Sequence, residues 1–264
     1  MLRSFWTCFI WLAVCGLLSP APAAALPVAE IVERANLASY YAGDDGRAEV
    51  RMTITDAQGR ERERQFVILR RNLEAGGRQL YYVYFERPVD VRRMVFMVHK
   101  FLDRDDDRWL FLPDLDLVRR IAASDKRSSF AGSHFLYEDV SGRAPTEDHH
   151  QLAEETEDHY VLEVTPRDPA TVEFSRYRVW IAKEHFLPVK AEYFDRSGEK
   201  YRLVEALEVG EVEGFPTVLK SRVRDLAGGG ETLMEFSQVR YNIGLDEALF
   251  SERYLRRPPR EVRR

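Results

Sequence analysis

DRDDDRWLFLPDLDLVRRIAASDKRSSFAGSHFLYEDV, residues 103–140, is the stretch on which the fold turns. It has three parts. An acidic turn, Asp103 to Asp107, feeds the apolar run 109–112, which Pro113 closes. A second strand-like run, 115–122, alternates only in part, and the two read as a hairpin. A loop rich in Ser, Gly and aromatics, 124–137, then ends on Glu138-Asp139-Val140. Solvated loops favour polar residues, so Phe130, Phe135, Leu136 and Tyr137 must rest against something apolar. What that something is decides the architecture.

Outward from this stretch nearly everything reads as strand and turn. Toward the N-terminus lie runs 94–98 and 80–85, the latter LYYVYF, then 60–71 and 48–54 joined by the turn Asp56-Ala57-Gln58-Gly59. In the run 48–54, Ala48, Val50, Met52 and Ile54 alternate with Glu49, Arg51 and Thr53, as a half-buried strand does. Toward the C-terminus, strands are expected at 160–165, 174–181, 187–194, 201–209, 217–225 and 232–241. Short links and the lack of helices between them predict an antiparallel meander of about ten or eleven strands. The polar segment 142–158 reads as a surface loop. Residues 246–255 read as a helical turn with Phe250 and Leu255 tucked in, followed by a frayed basic tail. The one convincing helix is 27–41, with Val28, Ile31, Val32, Ala35 and Ala38 on one face.

The first residues set the address. Arg3 gives a basic start, residues 5–18 are continuously apolar, and Ala23-Ala24-Ala25 ends the segment. That is the layout of a secretory signal peptide cleaved after Ala25, with a retained N-terminal anchor, or a lipoprotein cleavage site at Leu12-Ala13-Val14-Cys15, as the lesser readings. No later run approaches the roughly 18 apolar residues of a membrane span. Cys8 and Cys15 both lie in the leader, so the mature chain has no disulfide, thiol nucleophile or thiolate metal site. Residues 26–264 are read as a single domain held together by its core. The leader carries Arg3 and no acid, so the mature chain is one charge more acidic than the −5 of the full sequence. Such a balance gives no reason to expect nucleic-acid binding.

The central strands are apolar on both faces. Leu80, Tyr82 and Tyr84 point one way, and Tyr81, Val83 and Phe85 the other, so the sheet needs cover on both. Ten strands about 4.8 Å apart and roughly 17 Å long present on the order of 800 Å² per face. A helix of about 15 residues, roughly 22 Å by 10 Å, shields only about a quarter of one face. A sheet that curls without closing leaves an apolar hollow, with the aromatic loop 130–137 as its lid. A fully packed sandwich or barrel, with those aromatics as ordinary core, fits the composition equally well.

No catalytic constellation is present. Asp103, Asp105 and Asp107 have the spacing of a calcium loop, but Arg104 and Arg108 stand inside it and the required glycine is absent. None of the six histidines falls in a HExxH-like spacing, and no serine sits in a GxSxG. No nucleophile stands beside a base, so an enzyme has little to rest on, and no cofactor is implied. Arg119, Arg120, Lys126 and Arg127 bracket the loop. They could meet anionic headgroups or an acidic partner, or pair with Asp103–Asp107 or Glu138-Asp139.

Along these same residues the chain resembles the outer membrane lipoprotein-sorting proteins, relatives of the LolA/LolB lipoprotein carriers. The matching segments are Arg87-Pro88-Val89-Asp90-Val91-Arg92, Asp106-Asp107-Arg108-Trp109-Leu110-Phe111-Leu112-Pro113 and Arg119-Arg120-Ile121. They continue through Ser128-Ser129-Phe130-Ala131-Gly132-Ser133, Tyr137-Glu138-Asp139, Val179-Trp180-Ile181, Leu187-Pro188 and Leu249-Phe250-Ser251. The chain departs from the family's loop at His134, where an acid is expected. The resemblance implies a mainly β, LolA-like open half-barrel of about eleven antiparallel strands, lidded by helices and loops. It implies a non-enzymatic carrier, in the periplasm, that shelters acyl chains of a lipid or lipoprotein on their way to the outer membrane. The implied partners are that cargo, an RND-type inner-membrane transporter and, transiently, the membrane. Candidate cavity and lid residues are Tyr82, Tyr84, Phe96, Trp109, Phe111, Phe130, Phe135 and Tyr137. The rival reading is a docking module of a membrane lipid exporter that carries no cargo itself.

Overall fold

Alternation builds the first strand as the sequence suggests. In β1 (Asp45–Thr55) Ala48, Val50, Met52 and Ile54 are buried while Arg51 is exposed. The computed structural model describes residues 26–263, so the predicted leader, with both cysteines, lies outside the described residues. β1 turns at Asp56–Gly59, where the Gly59 amide donates to the Asp56 carbonyl at 2.9 Å and φ of +78° calls for glycine. β2 (Glu61–Asn72), β3 (Gln79–Arg87), β4 (Val95–Lys100), β5 (Asp107–Leu112) and β6 (Leu117–Arg120) follow as a meander.

A second meander runs through β7 (Asp148–Glu155), β8 (His159–Pro166), β9 (Arg176–Ala182), β10 (Pro188–Phe194), β11 (Lys200–Val212), β12 (Phe215–Asp225) and β13 (Glu231–Tyr241). β13 pairs with β1, so the two meanders fuse into one sheet of order β6-β5-β4-β3-β2-β1-β13-β12-β11-β10-β9-β8-β7. The sheet is wholly antiparallel and open, with β6 and β7 as its edges. The count is thirteen rather than about ten or eleven: each strand-like run read from the sequence forms a strand of its own, and the polar segment expected to be a loop adds β7.

The connection from β6 to β7, residues 121–147, must cross from one edge of the sheet to the other. It crosses over one face and carries Phe130, Phe135 and the short helix α2 (Tyr137–Ser141). The N-terminal helix α1 (Val28–Tyr40) covers the other end of that face, burying Ile31 and Ala35 against Leu162, Val164 and Ile181. The opposite face of β2–β5 is covered by residues 245–262, which include α3 (Arg253–Arg256). Leu245, Phe250, Leu255 and Val262 pack there, the Tyr82 hydroxyl donates to the Tyr254 carbonyl at 2.7 Å, and His99 Nε2 meets the Phe250 carbonyl oxygen at 2.6 Å. The tail expected to fray is therefore a strap, with Val262 fully buried.

The two faces of β3 divide as the alternation requires. Tyr81, Val83 and Phe85 enter the cluster under the crossover, and Leu80, Tyr82 and Tyr84 enter the cluster under the strap. The need for cover on both faces is met by two different segments.

Candidate functional site

Between α1, the crossover and the middle of the sheet lies a cavity of about 520 Å³. Its lining includes Val83 on β3, Phe66 on β2, Ala48 on β1, Val204 on β11 and Val179 on β9. β3 and β9 are seven strand spacings apart, about 34 Å on a flat sheet. Only a strongly curled sheet brings both to one cavity of this size. The face that carries the cavity is thus concave, and the crossover lies on it as a lid.

The lid is held in two ways. On the β1–β5 side the hold is apolar. Phe130, 1% exposed, sets its ring 5.9 Å from Phe66, 5.7 Å from Phe85 and 5.6 Å from Phe96, with Tyr137 at 5.8 Å. Phe135 is buried beside them, and the His134 amide and Nδ1 both reach Thr232 Oγ1, at 3.0 and 2.8 Å. On the β7–β11 side the hold is ionic. Buried Glu138 meets Lys126 at 3.1 Å and Arg143 at 3.3 Å, and also Arg127. Arg127 continues to Glu173 at 2.6 Å, Arg143 to Asp148 at 2.9 Å, and Arg202 on β11 clamps Asp139 at 2.6 Å. Burial works to raise the Glu138 pKa, but Arg127, Lys126 and Arg143 outweigh it and hold the carboxylate below its ordinary range. At Glu173 the Arg127 hydrogen bond likewise overcomes burial and brings the pKa down to about 2. Of the two readings of the bracketing cations, the paired one describes Arg120, which reaches Asp107 at 2.6 Å, and Lys126 and Arg127, which meet Glu138, whereas Arg119 faces Asp125 at 3.8 Å instead. Asp107 also accepts from Arg104, so arginines fill the would-be calcium turn.

Beside the ionic side of the lid the cavity wall is aromatic and hydroxylic. Tyr177 and Tyr193 stack at 4.9 Å, and the Tyr177 hydroxyl donates to Asp148 at 3.1 Å. Burial first, and Asp148 second, push the Tyr177 pKa well above its ordinary value, so it stays a neutral donor. At one end of the cavity Tyr40, the last residue of α1, wedges against Gly142 at the end of α2. Arg70 donates to the Tyr40 carbonyl and pairs in register with Tyr81, and Tyr241, across Gly46 from Arg70, meets the Thr217 hydroxyl at 2.9 Å.

The eight residues singled out from the sequence separate into two groups. Phe130 and Phe135 line the cavity; Phe96 and Tyr137 pack directly behind them on the same face. Tyr82, Tyr84, Trp109 and Phe111 lie on the convex face beneath the strap. Sequence reasoning passed over Arg70, Tyr177, Tyr193 and Tyr241. The signal for Arg70 was present, since it continues the Phe66, Ile68 alternation of β2 onto the concave face.

An open antiparallel sheet curled around a lidded apolar cavity defines a LolA-type fold. A family model described as an uncharacterized-protein-like family matches residues 77–257, and the chain belongs to that family. A DUF1329 family protein from Desulfovibrio piger is 28% identical, with a TM-score of 0.78 over 87% of this chain and 99% of that one. A domain from Vibrio parahaemolyticus described as an outer membrane lipoprotein-sorting protein is 27% identical, with a TM-score of 0.78 over 86% and 97% of the two chains. A LolA superfamily protein from Nitrosomonas europaea shares the fold at 20% identity, with a TM-score of 0.68 over 87% of this chain and all of that one. No curated protein matches the chain. These likenesses agree with the resemblance carried by the central motifs.

Proposed function

We propose that this chain is a periplasmic carrier that shelters acyl chains of a lipid or lipoprotein in its concave cavity and passes them towards the outer membrane. The observation that carries the reading is an apolar hollow closed by a segment that packs on the sheet through aromatic rings rather than through strand pairing. A lid of that kind can leave without breaking the sheet. Phe130 and Phe135 would touch the cargo, with Phe96 and Tyr137 seating the lid. Tyr82, Tyr84, Trp109 and Phe111 would hold the strap that keeps the sheet curled. Nothing in the cavity pairs a nucleophile with a base, and the reading is non-enzymatic. Cargo would be received from an RND-type inner-membrane transporter, with transient membrane contact, after removal of the leader at Ala25. Among the described residues no helix is long and apolar enough to cross a membrane.

The test is native mass spectrometry, with organic extraction, of the mature protein taken from a cell envelope without detergent. A stoichiometric lipid or acylated peptide is expected. A clean apo mass, together with failure to take up a fluorescent lipid, would overturn the reading in favour of a docking module. Phe130→Asp with Phe135→Asp separates the same two ideas: loss of lipid with the fold intact belongs to a carrier, and loss of exporter binding alone to a module.

A further inference from the structure

The cavity's size and its charges say more about the cargo, given the carrier reading on which this inference rests. A methylene fills about the space of a water molecule in the liquid, roughly 30 Å³. A cavity of about 520 Å³ therefore takes about 17 methylenes, one long acyl chain. A lipoprotein anchor with three chains would need about three times that room.

The charges along the lining are unequal in their partners. Arg143 is met by Asp148 and Glu147, and Arg47 by Glu49 at 2.9 Å. Glu138 and Asp139 are met by the cations described above. Arg70 differs: among the described residues no carboxylate lies within 4.0 Å of its guanidinium. Its terminal nitrogens donate to the Tyr40, Ala42 and Gly43 carbonyls, at the end of α1 and just past it, and among the described residues its Nε–H has no hydrogen-bond acceptor. Asp45, a residue away in register, is committed elsewhere, accepting from the Ile243 and Leu245 amides at 2.7 Å each. Arg70 pairs in register with Gly46 and Tyr81, and Gly46 with Tyr241, so a row of one cation and two phenols crosses the concave face. Phe66, on the same face of β2, lies about 14 Å further along the strand, beneath Phe130. The cavity thus has an apolar end and a cationic end.

We infer that the cargo is an amphiphile with a single acyl chain and an acidic head, its chain lying under Phe130 and its anion meeting Arg70. The helix-capping role of Arg70 uses only the terminal nitrogens and leaves a cation, partly stripped of water by burial, facing the cavity. Carboxylate and phosphate heads share the required chemistry.

The test is displacement of the neutral fluorophore N-phenyl-1-naphthylamine from the mature protein. Competitors are palmitate, palmitoyl lysophosphatidate, neutral monopalmitin and two-chain dipalmitoyl phosphatidate. The single-chain acids are expected to displace the probe at concentrations about tenfold or more below monopalmitin, the worth of a charge-assisted hydrogen bond. The two-chain acid should trail them, and the order of palmitate and lysophosphatidate identifies the head. Arg70→Gln should level acid and neutral competitors while monopalmitin still binds; Arg70→Lys should keep most of the preference. Equal potency of monopalmitin and palmitate on the wild-type chain overturns the acidic head, even if the variants do not fold. Equal potency of the two-chain lipid overturns the single chain. If no competitor displaces the probe, the carrier reading itself falls.

Discussion

Replacing Phe130 by Ala asks whether the lid opens apart from the sheet. The ring is 1% exposed and meets four other aromatic rings within 6 Å. A buried Phe→Ala change costs about 3–5 kcal/mol, and the lower end applies because a loop relaxes into the space more readily than a strand. A loss of about 3 kcal/mol raises the opening constant roughly 150-fold. If the lid opens as a unit, that loss falls on local opening rather than on global unfolding. The readout is native-state hydrogen exchange. The lid's amides are that of His134, which bonds to Thr232 Oγ1 on the sheet at 3.0 Å, and, bonded within the lid, Phe130 to the Phe135 carbonyl at 2.8 Å, Tyr137 to Ser128 at 3.2 Å and Glu138 to Lys126 at 2.8 Å. They should exchange about a hundredfold faster, while the β1–β13 ladder keeps its wild-type rates. Equal acceleration in both regions would refute the reasoning, because Phe130 would then be ordinary core and the crossover part of one cooperative unit.

Gly142→Ala should lower the melting temperature by about 6–12 °C, the equivalent of about 3 kcal/mol in a domain of this size. Its φ is +75° and a Cβ there would lie 2.4 Å from the Tyr40 ring, so a melt within a degree or two of wild type would show that α1 does not wedge on the lid as described. Lys100, 2% exposed and donating to the Ser141 carbonyl at 2.6 Å, has its pKa pushed down to about 8 by burial. The folded chain then gives up that proton near pH 8 and the unfolded chain only near about 10.4, so the unfolded state binds more protons between these values and stability rises with pH across that window. Urea midpoints of wild type relative to Lys100→Met should climb from pH 8 to 10; a pH-independent difference would contradict the burial argument.

The sequence made the strands of the first meander legible because one face of each is wet or the two faces are distinct. The LYYVYF run shows this best, since its alternate residues enter separate clusters on opposite faces. It hid β7 because DHHQLAEE has no apolar alternation: an edge strand pairs on one side only and can be built of residues that read as loop. The end of the strap was missed for a related reason, since beyond Leu255, which was expected to be tucked in, a single valine, Val262, anchors it among arginines and prolines. The site was half legible. Aromatics in the crossover announce a covered surface, but which face of β3 and β5 that surface belongs to depends on curl and on where the C-terminal segment lies. Neither is written in local periodicity.

Energetics explain why the lid matters more to a carrier than the depth of its cavity. Sheltering about 17 methylenes from water is worth about 0.8 kcal/mol each, on the order of 14 kcal/mol in all. A bilayer offers the same chain nearly the same gain. Exchange between membrane and cavity is then close to neutral in transfer energy, and its direction and rate fall to what opens and closes the cavity. In this chain that control is divided. The aromatic seat of Phe130 and Phe135 resists opening without charge, whereas the Arg127–Glu173, Arg143–Asp148 and Asp139–Arg202 pairs tie the lid to the second meander, with Glu138 binding Arg127 and Arg143 together from within the lid. A buried ion pair contributes little net stability but is costly to break from one side. A partner that supplied replacement charges at Arg202 and Arg127 would loosen the ionic edge while leaving the aromatic edge in place as a hinge. The layout favours a lid that swings from the β7–β11 side, and exchange of the Glu138 amide ahead of the Phe130 amide would be its signature.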